Sequence, residues 1–354
     1  MAAAGGGGWR AGRRAVRRAP PKNNVKLRAG KLPPDLLQRI IATLPAPDPR
    51  VRVGPAVGRD AVVLEMADRY LVVKTDPVTF ATDEIGWYVV QVNANDVACM
   101  GARPLWFMLT SLLPVGCDES LPQAIASQVV AACAAHGIAF VGGHTELTIG
   151  IDRPLLIGVM IGEAARDELV RPERTRVGDA ILLTKGVPLE GTALIAREKE
   201  AELIARGIDA TLIARAKNLL REPGIGVMRE ARLATRAGAS ILHDPTEGGL
   251  ATALWELCAA TGLGARVERA RIPIIPDGKT LCAAFDLDPL GTIASGALLI
   301  GIDPSRADAL QREIEAAGIA CARIGQFVAH EYGVTLDGEP MPRFDSDEIT
   351  KIFG

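Results

Sequence analysis

Apolar residues fall into alternating helix-like and strand-like runs along most of the chain. Leu36, Leu37, Ile40, Ile41 and Leu44 share one face of a helix predicted over residues 35–44, just after Pro33 and Pro34. Short apolar runs predict strands at 61–64 and 70–73, with a polar connection at 65–69. Ile85, Val89, Val92 and Val97 predict a helix over 83–100, with those residues on its inner side. A strand at 105–112, an Ala-rich helix at 121–136 and buried strands at 138–141 and 155–161 follow. Strands, helix, strand, helix, strands is the order of an α+β unit, not of a doubly wound parallel sheet.

Residues 163–178 are polar, with Pro172 and Gly178, and mark a domain junction. Beyond it the pattern predicts a strand at 180–184 and helices near 190–206, 209–221 and 226–237. Next come a strand at 240–242, a helix at 247–262, a strand at 265–269 and a helix at 278–285. A strand at 296–302, a helix at 304–317 and a strand at 321–328 complete a second α/β layer structure. The expected organisation is a disordered basic tail over 1–30, an N-terminal domain over 31–165, a C-terminal domain over 175–335 and an extension over 336–354.

Composition narrows the function. Hydrophobic residues make up 48% and charged residues 23%, as in ordinary globular proteins with a full core. Nine Lys/Arg and no acid fall in residues 1–31, leaving 31 basic against 42 acidic residues in the remainder. A body that acidic argues against a nucleic-acid partner and suits one that holds a cation. The tail has no apolar core of a secretory signal, and no apolar run is long enough for a membrane span. Six cysteines without a C-x-x-C pair read as buried thiols of a cytoplasmic protein.

Acids at the ends of predicted elements carry the candidate chemistry. Asp60 precedes a strand, Asp76 follows one, and Asp96 lies inside an apolar helix, three residues from Asn93 and on the same face. Alone, each has an ordinary reading as cap, turn former or solvated charge. Together they suit a hard cation such as magnesium, which takes one or two carboxylates per ion. Gly142-Gly143-His144-Thr145-Glu146 is either a turn whose backbone approaches a phosphate or an ordinary tight turn. Asp244-Pro-Thr246-Glu-Gly248-Gly249 leads into a helix whose N-terminus can receive an anion, with Asp244 or Thr246 equally able to cap it. Gly278-Lys279-Thr280 is no P-loop, because Pro273 stands where the first glycine is needed.

In this order, Gly58-Arg-Asp60, Thr75-Asp76, Asn95-Asp96-Val-Ala-Cys-Met-Gly101-Ala102, the 142–146 motif and the 244–250 motif resemble the aminoimidazole-ribonucleotide synthetase (PurM) superfamily. The nearest branch is the HypE-like, AIR synthase-related group. The resemblance implies a PurM-like two-domain α+β fold, with an N-terminal domain that forms a barrel across a homodimer and a C-terminal α/β domain behind it. It further implies ATP and Mg2+ as cofactors, with magnesium on Asp60, Asp76 and Asp96. Lys31, Asn93, Asn95, Gly142, Gly143, Thr145, Asp244, Thr246, Gly248 and Gly249 are the implied nucleotide-binding positions. His144 and Glu146 are the candidate catalytic groups; relatives carry an aspartate where His144 stands, so Glu146 would supply that charge. HypE proteins end in a cysteine, whereas the last cysteine here is Cys321.

The implied activity is phosphorylation of an oxygen on a small amide- or carboxylate-like substrate, followed by dehydration, cyclisation or ligation. The alternatives are a small-molecule kinase resembling thiamine-monophosphate kinase, and a nucleotide-binding accessory protein working with a maturation partner.

Overall fold

The computed structural model describes residues 32–56 and 61–353; Lys31 and Asp60 lie outside the described residues. The N-terminal half runs α1 (Pro34–Ile41), β1 (Val51–Val53), β2 (Val62–Met66), β3 (Arg69–Val78), α2 (Ile85–Cys99), β4 (Arg103–Pro114), α3 (Ser120–His136), β5 (Ala139–Thr148) and β6 (Leu155–Ala165). The C-terminal half continues with β7 (Ala180–Thr184), α4 (Leu189–Glu198), α5 (Glu200–Ala205), α6 (Ala210–Asn218), α7 (Met228–Arg236), β8 (Ile241–His243), α8 (Gly249–Thr261) and β9 (Gly264–Val267). It closes with α9 (Pro276–Ala284), β10 (Leu299–Ile302), α10 (Pro304–Ala316), β11 (Cys321–Val328), β12 (Val334–Leu336), β13 (Glu339–Pro340) and α11 (Thr350–Phe353).

The first sheet has the order β1-β2-β3-β6-β4-β5, antiparallel except for the parallel β4/β5 pair at one edge. The second has the order β13-β12-β9-β11-β7-β10-β8, with β12/β9 its parallel pair. This is the expected α+β class. The predicted helix at 190–206 is two helices, α4 and α5, meeting at Lys199.

Strand alternation sorts the first sheet into two faces. Leu156, Gly158, Met160, Gly162 and Ala164 of β6 are buried on the inner face, while Leu155, Ile157, Val159 and Ile161 turn outward and stay half-buried. Helix α2 lies on the inner face, and 13 of its 15 residues are buried. A helix apolar nearly all round belongs in the middle of a molecule. It packs on β3, β4 and β6, on α3, and on α7 and β8 of the other half. Glycines allow the approach: a Cβ at Gly158 would overlap the Asn93 amide, and one at Gly162 would overlap Val97.

Polar groups tie α2 to the C-terminal half. The Asn95 amide donates to Ile225 O (2.8 Å) and its Oδ1 accepts from Val227 N (2.9 Å), both buried. Glu198 accepts from the backbone N–H groups of Thr82 (2.7 Å) and Asp83 (3.1 Å). Arg221 pairs with Glu84 and lies over the Trp87 ring. Burial pushes the Cys133 thiol up to about 11 and those of Cys258, Cys282 and Cys321 to about 12, in line with inert packing residues.

Asn95→Ala orphans a buried carbonyl and a buried N–H. It should lower stability by about 2–4 kcal/mol in urea unfolding. A loss below about 0.5 kcal/mol would mean that the two halves are held elsewhere.

Candidate functional site

The first cluster lies where α2 crosses β3 on the inner face. Lys74 and Asp76 alternate along β3 and so point the same way, toward the helix. Lys74 Nζ lies 2.6 Å from Asp96 Oδ2 and 3.7 Å from Asp76 Oδ2. Asp96 is 4% exposed, so its charge must be matched by a neighbour. Asn93, one turn earlier, donates to Val89 O (2.8 Å) and to Asp76 O (3.2 Å), fixing the strand beneath Asp76. Its Oδ1 is buried without a hydrogen-bond partner. Asp76, Asn93 and Asp96 are thus brought together at this crossing. Lys74 was missed, although a lysine two residues from Asp76 in an alternating strand is the signal that it shares that face.

Asn95 faces the opposite side of α2. Its Nδ2 lies 3.3 Å from Asp244 Oδ2, and Asp244 is 1% exposed. These two residues form a buried seam between the halves.

At the start of α8 the structure places a carboxylate beside Gly248. Gly248 N donates to Asp347 Oδ2 (2.6 Å), whose Oδ1 accepts from Ile349 N (2.8 Å). A carboxylate from the C-terminal segment thus occupies the N-terminal donor expected to face a phosphate. Gly249 is glycine for a different reason: a Cβ there would overlap the carbonyls of Leu290 and Thr292. Gly249 N also bonds Thr246 O (2.9 Å), closing the turn. Burial pushes the Asp347 carboxyl up to about 6, against the pull of its backbone donors. Burial likewise pushes Glu190 up to about 8; its Ser295 hydrogen bond opposes this, and the Glu247, Asp347 and Asp244 charges add to it.

At the glycine pair 142–143 the predicted turn is corrected. The pair is not a turn but the middle of β5, and residues 139–141 are exposed rather than buried. Gly143 is required because β5 runs so close to β4 that a Cβ would overlap the Leu109 carbonyl. Register places Gly143, Leu109, Gly158 and Asp76 in one row across β5, β4, β6 and β3. Three strand spacings put Gly143 about 14 Å from Asp76. Register also pairs His144 with Thr110, and Thr110 with the outward-facing Ile157. His144 and Glu146 therefore stand on the outer face, opposite the carboxylates. His144 Nε2 is 3.1 Å from Glu146 Oε2, and Thr148 Oγ1 donates to Glu146 Oε1 (2.9 Å). These two partners hold the Glu146 carboxyl below its usual range.

A cavity of about 310 Å³ opens elsewhere between the halves, lined by Tyr70, Cys99, Met100, Arg171, His243 and Glu256 among others. Tyr70 is six residues, about 20 Å, along β3 from Asp76. This cavity and the carboxylate pair are thus separate features.

Two family models cover most of the chain. The AIR synthase related protein N-terminal domain matches residues 58–164, and the corresponding C-terminal domain matches 176–337. A selenide, water dikinase of Bordetella bronchiseptica is 31% identical over 256 residues, 70% of each chain. The chain belongs to the AIR synthase-related family.

Within that family, a carbamoyl dehydratase HypE of Rhizobium leguminosarum bv. viciae is 27% identical over 286 residues, 77% of this chain and 78% of its own. A crystal structure of the hydrogenase maturation protein HypE in complex with ATP shares the fold, with a TM-score of 0.63 at 22% identity, covering 88% of this chain and 90% of that one. No helix among the described residues is long and apolar enough to cross a membrane.

For an AIR synthase-related chain the donor chemistry at α2/β3 fits magnesium. Two hard carboxylates reach the same ammonium, so one small ion could serve both. No group of three or more His, Cys, Asp or Glu able to hold a metal occurs among the described residues.

Glu190 makes stability depend on pH. Its folded-state value is raised above 4.5 to about 8, so the folded chain holds the proton more tightly than the unfolded chain. The stabilisation is complete below 4.5 and is lost as pH rises through about 8. Asp347 acts in the same sense between 3.8 and about 6. Thermal melting of the wild type should therefore fall across this range, and Glu190→Gln should flatten the decline above pH 6. Parallel melting profiles for the two proteins would show that Glu190 ionises without cost.

Proposed function

We propose that this chain is an ATP-dependent enzyme that uses Mg-ATP to phosphorylate, and so activate, an oxygen of a small amide- or carboxylate-like substrate. The observation carrying this reading is the convergence of Asp76 and Asp96, 38% and 6% exposed at the side chain, on one point of the inner face. Phosphoryl transfer needs positioning and charge neutralisation more than covalent help. Asp76 and Asp96 would hold the magnesium together with Asp60, and Asn93 fixes the Asp76 backbone so that the carboxylate keeps its aim. When bound, the ion neutralises charge on the phosphates. The names of the relatives, a carbamoyl dehydratase and a selenide, water dikinase, support the reaction class.

We also infer a homodimer through the outer face of the first sheet. Leu71, Val73, Leu112, Ile157, Val159 and Ile161 stay only half-buried there, and Met108 is 40% exposed. An apolar sheet face of that extent calls for a cover. His144 and Glu146 lie on the same face, so a second copy would enclose them.

Asp96→Asn should lower phosphate release from Mg-ATP by about a hundredfold or more while leaving the dimer intact. Unchanged turnover would remove Asp96 from the site. Product analysis sorts the chemistry: free phosphate with a dehydrated or ligated product supports activation, and a stable phosphorylated product supports a kinase. Binding of Mg-ATP without turnover would support an accessory role. Ile157→Asp should give a monomer by light scattering; an unchanged mass would place the interface on another surface.

A further inference from the structure

The ammonium of Lys74 occupies the place where the two carboxylates converge. It is 2.6 Å from Asp96 and 3.7 Å from Asp76, on a side chain only 19% exposed. A lysine so placed satisfies the buried Asp96 charge without any ion. It is also a direct competitor for a divalent cation, since both would sit on the same oxygens.

We propose that Lys74 is a resident cation that keeps free divalent ions off the Asp76–Asp96 pair and yields its place only when the ion arrives with a nucleotide's phosphates. The inference rests on the reading that these two aspartates hold the nucleotide's metal. Its physical basis is charge. With Lys74 protonated, the three side chains carry a net −1; without it, the two carboxylates carry −2. Removing one positive charge about 4 Å from a divalent ion should raise its affinity by at least about tenfold at the effective dielectric of a partly buried site. Lysine suits the exchange because its ammonium is a compact charge on a flexible stem. A triphosphate offers that ammonium new oxygens as the carboxylates turn to the ion. The site would thus select the metal–nucleotide complex over free metal.

Calorimetry on the full chain tests this with Mn2+ alone and with Mn2+ plus a non-hydrolysable ATP analogue. Wild type should bind Mn2+ alone weakly and the metal–analogue complex well. Lys74→Gln, which keeps a hydrogen-bond donor for Asp96, should bind Mn2+ alone at least about tenfold more tightly. Its melting temperature should rise with Mn2+ while that of wild type stays put. Lys74→Arg keeps the charge and should behave as wild type. Adding Asp96→Asn to Lys74→Gln should abolish the gain. If Lys74→Gln binds Mn2+ no better than wild type, while both still bind the metal–analogue complex, the role of Lys74 is overturned and the metal site stands. If neither protein binds Mn2+ with or without the analogue, the metal reading falls and the inference with it.

Discussion

An ionised carboxylate inside a helix that water barely reaches has to be answered by a positive charge, and the fold is arranged around that requirement at Asp96. The answer comes from β3, whose alternation turns Lys74 and Asp76 toward α2. For the ammonium to reach, helix and sheet must lie close, and Gly158 and Gly162 supply the space. Asn93 then locks the depth of approach by bonding the Asp76 carbonyl. The packing of the N-terminal half and its candidate chemistry are thus one geometric solution, because the residues that set the helix–sheet distance also set the distance between the carboxylates.

The other side of α2 follows a different logic. There the acids face the C-terminal half, and partners and protons take the place of a cation. Asp244 and Asn95 make a sealed seam, Asp347 accepts from the Gly248 N–H just before α8 and from the Ile349 N–H of its own segment, and Glu190 stays protonated through neutral pH. Three carboxylates gathered in a buried region would repel one another if all were ionised. Burial is the main cause of the raised values of Asp347 and Glu190, and the neighbouring carboxylates add to it.

Much of this was legible in the sequence. Periodicity located the helices and most of the strands, since apolar faces dictate both elements, and the α2 acids stood out against their neighbours. The failures have physical causes. Among the described residues β5 pairs on one side only, and it is exposed along most of its length, so it lacks the alternation that marks a half-buried strand, and its two glycines imitate a turn. The meeting of Gly248 with Asp347 joins residues 99 positions apart and has no local signature. Lys74 was readable by its register with Asp76, but a lysine in a strand is ordinarily taken for an exposed charge.

The short α11 helix carries a consequence for biogenesis. Ile349, Ile352 and Phe353 belong to the same apolar cluster as α2, and Phe353 approaches Phe80 with ring centroids 6.4 Å apart. Domains commonly fold in the order in which the ribosome delivers them. Here the part of the first half's hydrophobic cluster that Ile349, Ile352 and Phe353 cover is completed only after residues 349–353 have been synthesised.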